Sequence, residues 1–195
     1  MKTGIIVLAA GSSSRMGQSK QMLDIGGEAL LARTVKAAID AQLGPIVVVV
    51  GSNAHAHKKL ITGLSVDIVH NEAWEKGMGH SLKTALHHLI GKHSTLQAVV
   101  VLVCDQPLLT PKNITNLVKK FQESKKPIIA SRYANMPGVP VLFEKEYFSK
   151  LMGLPDDQGA KKIILQNPND VSEVDFQEGE IDLDTFEDYN AFKKR

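Results

Sequence analysis

The chain has 195 residues, enough for one domain with a substantial core and too few for two domains of ordinary size. With 23 Lys and Arg against 21 Asp and Glu, its net charge of +2 lacks the basic excess of a dedicated nucleic-acid binder, and 43% hydrophobic residues exclude a disordered chain. The single cysteine, Cys104, excludes an internal disulfide framework and a Cys-rich zinc site, and no apolar run approaches the ~20 residues of a membrane span, so a cytoplasmic protein with no membrane partner is expected.

Apolar runs of strand length alternate with amphipathic stretches of helix length. Residues 5–10 form a continuous apolar run, followed by a Gly/Ser loop. Residues 28–41 read as a helix, with Leu30, Leu31, Val35, Ala38 and Ile39 on one side. Gly44-Pro45 ends it, and residues 46–50 are almost pure valine, too short and β-branched for a helix. Further elements are a helix from 51–53 to about 62, a strand at 66–70, a helix at 81–90 and a strand at 98–104. A helix at 113–122 and a strand at 127–130 come next. Strands without polar alternation are buried on both faces, and strand–helix alternation at this rhythm predicts a doubly wound α/β sheet. Beyond Ser131 the pattern loosens. Pro137-Gly138-Val139-Pro140 reads as a turn, 141–143 as a strand, 145–151 and 159–165 as helices, and 181–189 as a strand running into an acidic helix start.

Four motifs carry chemistry. The first is Leu8-Ala9-Ala10-Gly11-Ser12-Ser13-Ser14-Arg15-Met16-Gly17-Gln18-Ser19-Lys20, directly after the first strand. Glycines at 11 and 17 permit positive φ or close approach to a ligand, exposed amides form an anion nest, and Arg15 and Lys20 add cations suited to phosphate. It is neither a P-loop nor a dinucleotide fingerprint, and by spacing alone it also reads as a flexible loop with two solvated cations. The second, Gly77-Met78-Gly79-His80-Ser81-Leu82, places glycines and Ser81 at a helix start, either as a plain cap or beside an anion or base edge. In the third, Val103-Cys104-Asp105-Gln106-Pro107, a carboxylate ends the most apolar strand, at the ligand edge of such sheets. Mg²⁺ bound to phosphates takes one or two protein carboxylates, a need Asp105 meets, though an Asx-turn has the same spelling. Cys104 reads as a small buried hydrophobe. The fourth, Asp182-Leu183-Asp184-Thr185, puts two carboxylates on one side of a strand, as a site or merely as an acidic strand end. Seven histidines are scattered without zinc-ligand spacing, and Trp74, just before the second motif, reads as packing.

Together these residues resemble a known family. Leu8-Ala9-Ala10-Gly11-x-Ser13-x-Arg15-Met16-Gly17-x-x-Lys20 looks like the signature of nucleotidyltransferases with the nucleotide-diphospho-sugar transferase fold. Gly77-Met78-Gly79-x-Ser81-Leu82, Cys104-Asp105-Gln106-Pro107, Gly138-Val139-Pro140-Val141-Leu142-Phe143, Asp157-Gln158-Gly159-Ala160-Lys161 and Asp182-Leu183-Asp184-Thr185 narrow the resemblance to the molybdenum cofactor nucleotidyltransferases. Leu-Ala-Ala-Gly with Asp-Gln-Pro is similar to the cytidylyltransferase branch. The resemblance implies a Rossmann-like three-layer α/β/α fold with a mostly parallel central sheet. It implies a single domain over 1–195, with a nucleotide half at about 1–110 and an acceptor half at about 111–195. It further implies CTP and molybdopterin as substrates, Mg²⁺ as cofactor, and a molybdoenzyme or its chaperone as recipient. Arg15, Lys20 and Asp105 would be catalytic, with Leu8, Ala9, Ala10, Gly11, Gly77, Gly79 and Ser81 also contacting nucleotide. Asp105, Asp184 and Asp182 would hold metal. Alternatives on the same residues are an enzyme using GTP or a sugar or alcohol phosphate, and a nucleotide-binding partner of a molybdoenzyme without turnover.

Overall fold

Strands β1 (Thr3–Ala9), β2 (Ile46–Val50), β3 (Asp67–His70) and β4 (Ala98–Val103) lie parallel in the order β3-β2-β1-β4 in the computed structural model. It describes residues 2–195, and at Arg15 the backbone alone. β1, β2 and β4 are buried along their whole length, which is why their sequences carry no polar alternation. Side chains of β1 serve two cores in turn. Ile5, Val7 and Ala9 pack with α1 (Leu30–Asp40), with Ile61 at the end of α2 (Ala54–Leu60), and with α4 (Pro111–Ser124). Ile6, Leu8 and Ala10 pack with α3 (Met78–Lys92), α5 (Phe148–Met152) and α6 (Lys161–Gln166). The result is the expected three-layer α/β/α arrangement.

The remaining strands are β5 (Ile128–Tyr133), β6 (Met136–Glu144) and β7 (Val171–Asp175), completing the order β3-β2-β1-β4-β6-β5-β7. β6 runs antiparallel to both β4 and β5, and β7 is parallel to β5. The expected turn at 137–140 is therefore corrected, since these residues lie inside β6. The reversal is made instead by Ala134 and Asn135, both at positive φ (47° and 60°), as a two-residue hairpin turn requires. β6 accommodates Pro140 because the β5–β6 register shifts there, passing from Ala130↔Val141 to Ser131↔Gly138. Pro140 has no N–H to offer, and its carbonyl accepts from Ser131 Oγ at 2.7 Å.

Two other expectations change. Residues 181–184 form no strand; Leu183 N–H donates to Asp105 O at 2.9 Å, which fixes the segment across the end of β4. Thr185 then caps α7 (Phe186–Lys193) in a reciprocal box with Asp188. β7 has no counterpart among the expected elements, because Val-Ser-Glu-Val-Asp is a half-exposed edge strand with little apolar signal. No helix among the described residues is long and apolar enough to cross a membrane.

Candidate active site

At the exit of β1 the chain turns its carbonyls inward. Ala9 O and Gly11 O accept from Gln21 Nε2 (3.3 and 3.2 Å), and Ala10 O accepts from Ser52 N–H at 3.0 Å. The N–H groups of Gly11 and Ser12 have no backbone acceptor among the described residues, so donors are left over in the loop. Leu8, Ala10, Gly11, Ser12, Lys20 and Gln21 from this segment line a cavity of about 340 Å³. Its other walls are Trp74, Gly77, Met78 and Ser81 on one side and Val103 to Asp105 on the other. Trp74 packs against the core beneath α3 as expected, and in addition walls this cavity. Gly51 permits this, because a Cβ there would lie 2.5 Å from Trp74 Cβ and 2.7 Å from Ala10 O.

The second motif opens α3 at Met78, three residues earlier than its apolar periodicity begins. Gly77 has φ 122°, and a Cβ on it would stand 2.6 Å from Asp156 O. Gly79 is absent from the cavity lining and instead lets the backbone at Pro155 and Gln158 pack against the helix start. Ser81 is set by Asn71, whose Nδ2 donates to Ser81 Oγ at 2.9 Å. Asn71 Oδ1 accepts from Ala73 N–H at 3.1 Å and from His80 Nδ1–H at 3.0 Å. Asn71 is buried at the carboxyl end of β3 and was missed; a polar residue ending a strand was the only signal available.

The third and fourth motifs meet around Lys20. Its Nζ donates to Asp105 Oδ2 at 2.8 Å and to Asp184 Oδ1 at 3.1 Å, joining residues 85 and 164 positions away. Burial alone would lower the ammonium's pKa, but Asp105 and Asp184 together hold it above its usual value. Asp182 lies in the same group: burial, then the charges of Asp105 and Asp184, push its carboxyl up to about 7. Asp105 Oδ1 is buried with no hydrogen-bond partner among the described residues. An orphaned carboxylate oxygen among further carboxylates is the donor type that hard divalent cations take. No three-ligand metal cluster stands preformed among the described residues, so such an ion would complete its shell with water or with oxygens of a ligand.

A second cavity, of about 190 Å³, shares Leu8, Met78, Val103 and Asp105 with the first. Its own walls include Gln106, Tyr133, Val139, Gly159, Ala160, Lys161 and Asp182. Gln106 Nε2 donates to Val139 O at 3.1 Å and to Gly179 O at 2.8 Å, which holds the C-terminal segment against β6. Asp105 therefore stands on the wall common to two adjoining chambers. The structure brings Leu8, Ala10, Gly11, Lys20, Gly77, Ser81, Asp105 and Asp182 onto the two chambers and Asp184 onto Lys20. Ala9 points into the core on the opposite face, and the Arg15 side chain lies outside the described residues. Cys104 is 2% exposed, and burial, reinforced by the Asp105 charge, pushes its thiol up to about 12. Iodoacetamide at pH 8 is expected to leave the native protein unmodified and to alkylate Cys104 only in urea, as mass spectrometry would read.

Residues 5–171 match the family described as the MobA-like NTP transferase domain. The chain belongs to the MobA-like NTP transferase family. It is a nucleotidyltransferase with the expected fold. Among curated relatives, it is 28% identical to the purine catabolism protein PucB of Bacillus subtilis (strain 168), over 97% of this chain and 95% of that one. It is 27% identical to the molybdenum cofactor cytidylyltransferase of Escherichia coli (strain K12), over the same shares of the two chains. Among solved structures, Rv0371c of Mycobacterium tuberculosis H37Rv superposes with a TM-score of 0.87 at 26% identity, covering 100% of this chain and 98% of that one. Rv0371c has also been solved in complex with manganese.

Proposed function

We propose that this MobA-like transferase moves CMP from CTP to the phosphate of molybdopterin and releases pyrophosphate. The observation that carries the reading is Asp105 on the shared wall of two chambers, one walled by the amide-rich loop and Lys20, the other by Val139 and Gly159 to Lys161. On this reading CTP fills the first chamber, with Ala10, Gly11 and Ser81 toward base and ribose. The triphosphate lies along the loop to Lys20 and Arg15. The acceptor fills the second chamber, so the nucleotide half at about 1–110 walls the first chamber and the acceptor half beyond it supplies most of the second chamber's own walls. An acceptor phosphate oxygen attacks the α-phosphorus in line. The bond from that phosphorus to the bridging oxygen breaks, and its electron pair leaves on pyrophosphate. Lys20 and Arg15 stabilise the negative charge that gathers on the leaving group. Mg²⁺ would be held by Asp105 with Asp182 or Asp184, and would neutralise phosphate charge there. The chain's own contribution is chiefly to hold two anions in line while excluding water.

The comparison with the E. coli cytidylyltransferase supports the choice of acceptor and base, and a cytoplasmic location with delivery to a molybdoenzyme belongs to the same reading. The test is pyrophosphate release with Mg²⁺, offering CTP or GTP with molybdopterin or with a panel of sugar 1-phosphates. Turnover is expected with CTP and molybdopterin. Preference for GTP would overturn the base assignment, turnover with a sugar phosphate would overturn the acceptor, and nucleotide binding without turnover on any acceptor would overturn the transferase reading.

A further inference from the structure

Behind the nucleotide loop lies a chain of buried polar groups whose hydrogen-bond directions can be deduced. It starts from Ala9 O and Gly11 O, which can only accept, so the Gln21 group facing them is the amide nitrogen. Gln21 Oε1 is then an acceptor, and the Ser19 hydroxyl donates to it at 2.7 Å, joined by Ser13 Oγ at 3.3 Å. Ser19 has one proton, and it is now used. His57 Nε2, 2.6 Å from Ser19 Oγ, must therefore be the donor, which places a proton on Nε2. Nδ1 is buried with no acceptor among the described residues, so a second proton there would be unsatisfied and the ring is the neutral Nε2–H form.

We infer that His57 is a positioning residue for the nucleotide site: its Nε2–H holds Ser19, Ser19 holds Gln21, and Gln21 holds the carbonyls of the loop that receives the phosphates. The inference rests on the functional reading above only in naming the ligand. Three observations support it. First, Ser19 and Gln21 flank Lys20 in sequence and are themselves buried, so the relay clamps the backbone on both sides of the lysine. Lys20 N–H is fixed as well, donating to Ser13 Oγ at 3.0 Å, and its Nζ is thereby presented to Asp105 and Asp184. Second, His57 is 0% exposed and is the one buried residue of α2 among those described. An aliphatic side chain would fill that volume without desolvating two ring nitrogens, so what the imidazole adds is its single donor. Third, burial lowers the His57 pKa, consistent with a ring that stays neutral and keeps the direction of the relay fixed.

The test compares wild type with His57→Leu, Ser19→Ala, the conservative His57→Gln and a control, Ile61→Val. Glutamine places an amide N–H close to where Nε2 lies, so it restores the donor. Ile61, at the C-terminal end of α2 and 1% exposed, lies outside the relay, so its truncation loosens the core alone. Hydrogen exchange of amides 10–22 is expected to quicken at least tenfold in His57→Leu and Ser19→Ala, and to stay within threefold of wild type in His57→Gln and Ile61→Val. The CTP dissociation constant, read from the fluorescence of Trp74, the sole tryptophan, is expected to rise about tenfold in the first two variants and to recover in His57→Gln. Unchanged exchange at 10–22 in His57→Leu would overturn the relay. Faster exchange with unchanged CTP affinity, or failure of His57→Gln to recover, would overturn the positioning role. If wild type binds no nucleotide, the functional reading fails, and the exchange measurement still decides the relay.

Discussion

Replacing Asp105 by asparagine is expected to lower the rate of pyrophosphate release about a thousandfold at saturating CTP and acceptor, a loss of about 4 kcal/mol of transition-state stabilisation. The amide would keep the shape of the side chain and an oxygen for Lys20 Nζ, now 2.8 Å from Oδ2. It would lose the negative charge and replace the orphaned Oδ1, or its neighbour, with a group that does not bind a hard cation. The fold should hold, because the backbone bond from Leu183 N–H to Asp105 O does not involve the side chain. A buried amide N–H without an acceptor costs about 1 kcal/mol, or about 2–4 °C in Tm for a chain of this size. The decisive measurement pairs steady-state turnover with a thermal melt. A variant that melts normally and turns over within tenfold of wild type would remove Asp105 from the centre of the site. A variant that loses both activity and stability would make Asp105 a structural residue.

Gly77→Ala is expected to lower Tm by about 6–12 °C. Helix propensity gives only a weak counterweight, because Gly77 is the N-cap residue just outside α3, where alanine has no advantage over glycine. Two terms outweigh it. Gly77 has φ 122°, ψ −175°, a region essentially reserved for glycine and costing about 1–3 kcal/mol for other residues. Its Cβ would also lie 2.6 Å from Asp156 O and 2.7 Å from Asp157 Cα, backbone atoms that move only with the whole segment, for about 1–3 kcal/mol more. That segment leads into Gly159, Ala160 and Lys161 of the second chamber, so the KM for the acceptor should rise more than that for CTP. Equal melting temperatures would show that the 155–158 segment yields freely and that the glycine is needed for ligand contact alone.

Gly77 also illustrates how much the sequence could reveal. Its spelling beside Gly79 and Ser81 marked a helix start and a nucleotide contact, and Gly77 and Ser81 do line the first chamber. Gly79 turned out to serve packing, because the chain that meets it comes from 155–158, far away in sequence. The same limit explains Asp182 and Asp184. As an alternating pair they suggested one face of a strand, yet the segment lies in no strand and is placed by the backbone bond to Asp105 O together with the Lys20–Asp184 contact. The roles of Asn71, Gln106 and His57 were not readable from their positions in the sequence, since each acts through partners brought by other elements.

By itself the sequence determined the layers and the chemistry. Unbroken apolar strands at 5–10, 46–50 and 98–104 have to be covered on both faces, so a sandwiched sheet follows from hydrophobic burial alone. Glycines and Lys20 after the first strand and Asp105 after the fourth point to anion and cation chemistry, while a loop with solvated cations and an Asx-turn share the same spelling. Only the tertiary structure decided where that chemistry converges. A residue's neighbours across 85 or 164 positions depend on strand order, on the antiparallel insertion of β6 and on the anchoring of the C-terminal segment. None of these leaves a local periodicity to read, because each is set by packing between distant parts of the chain.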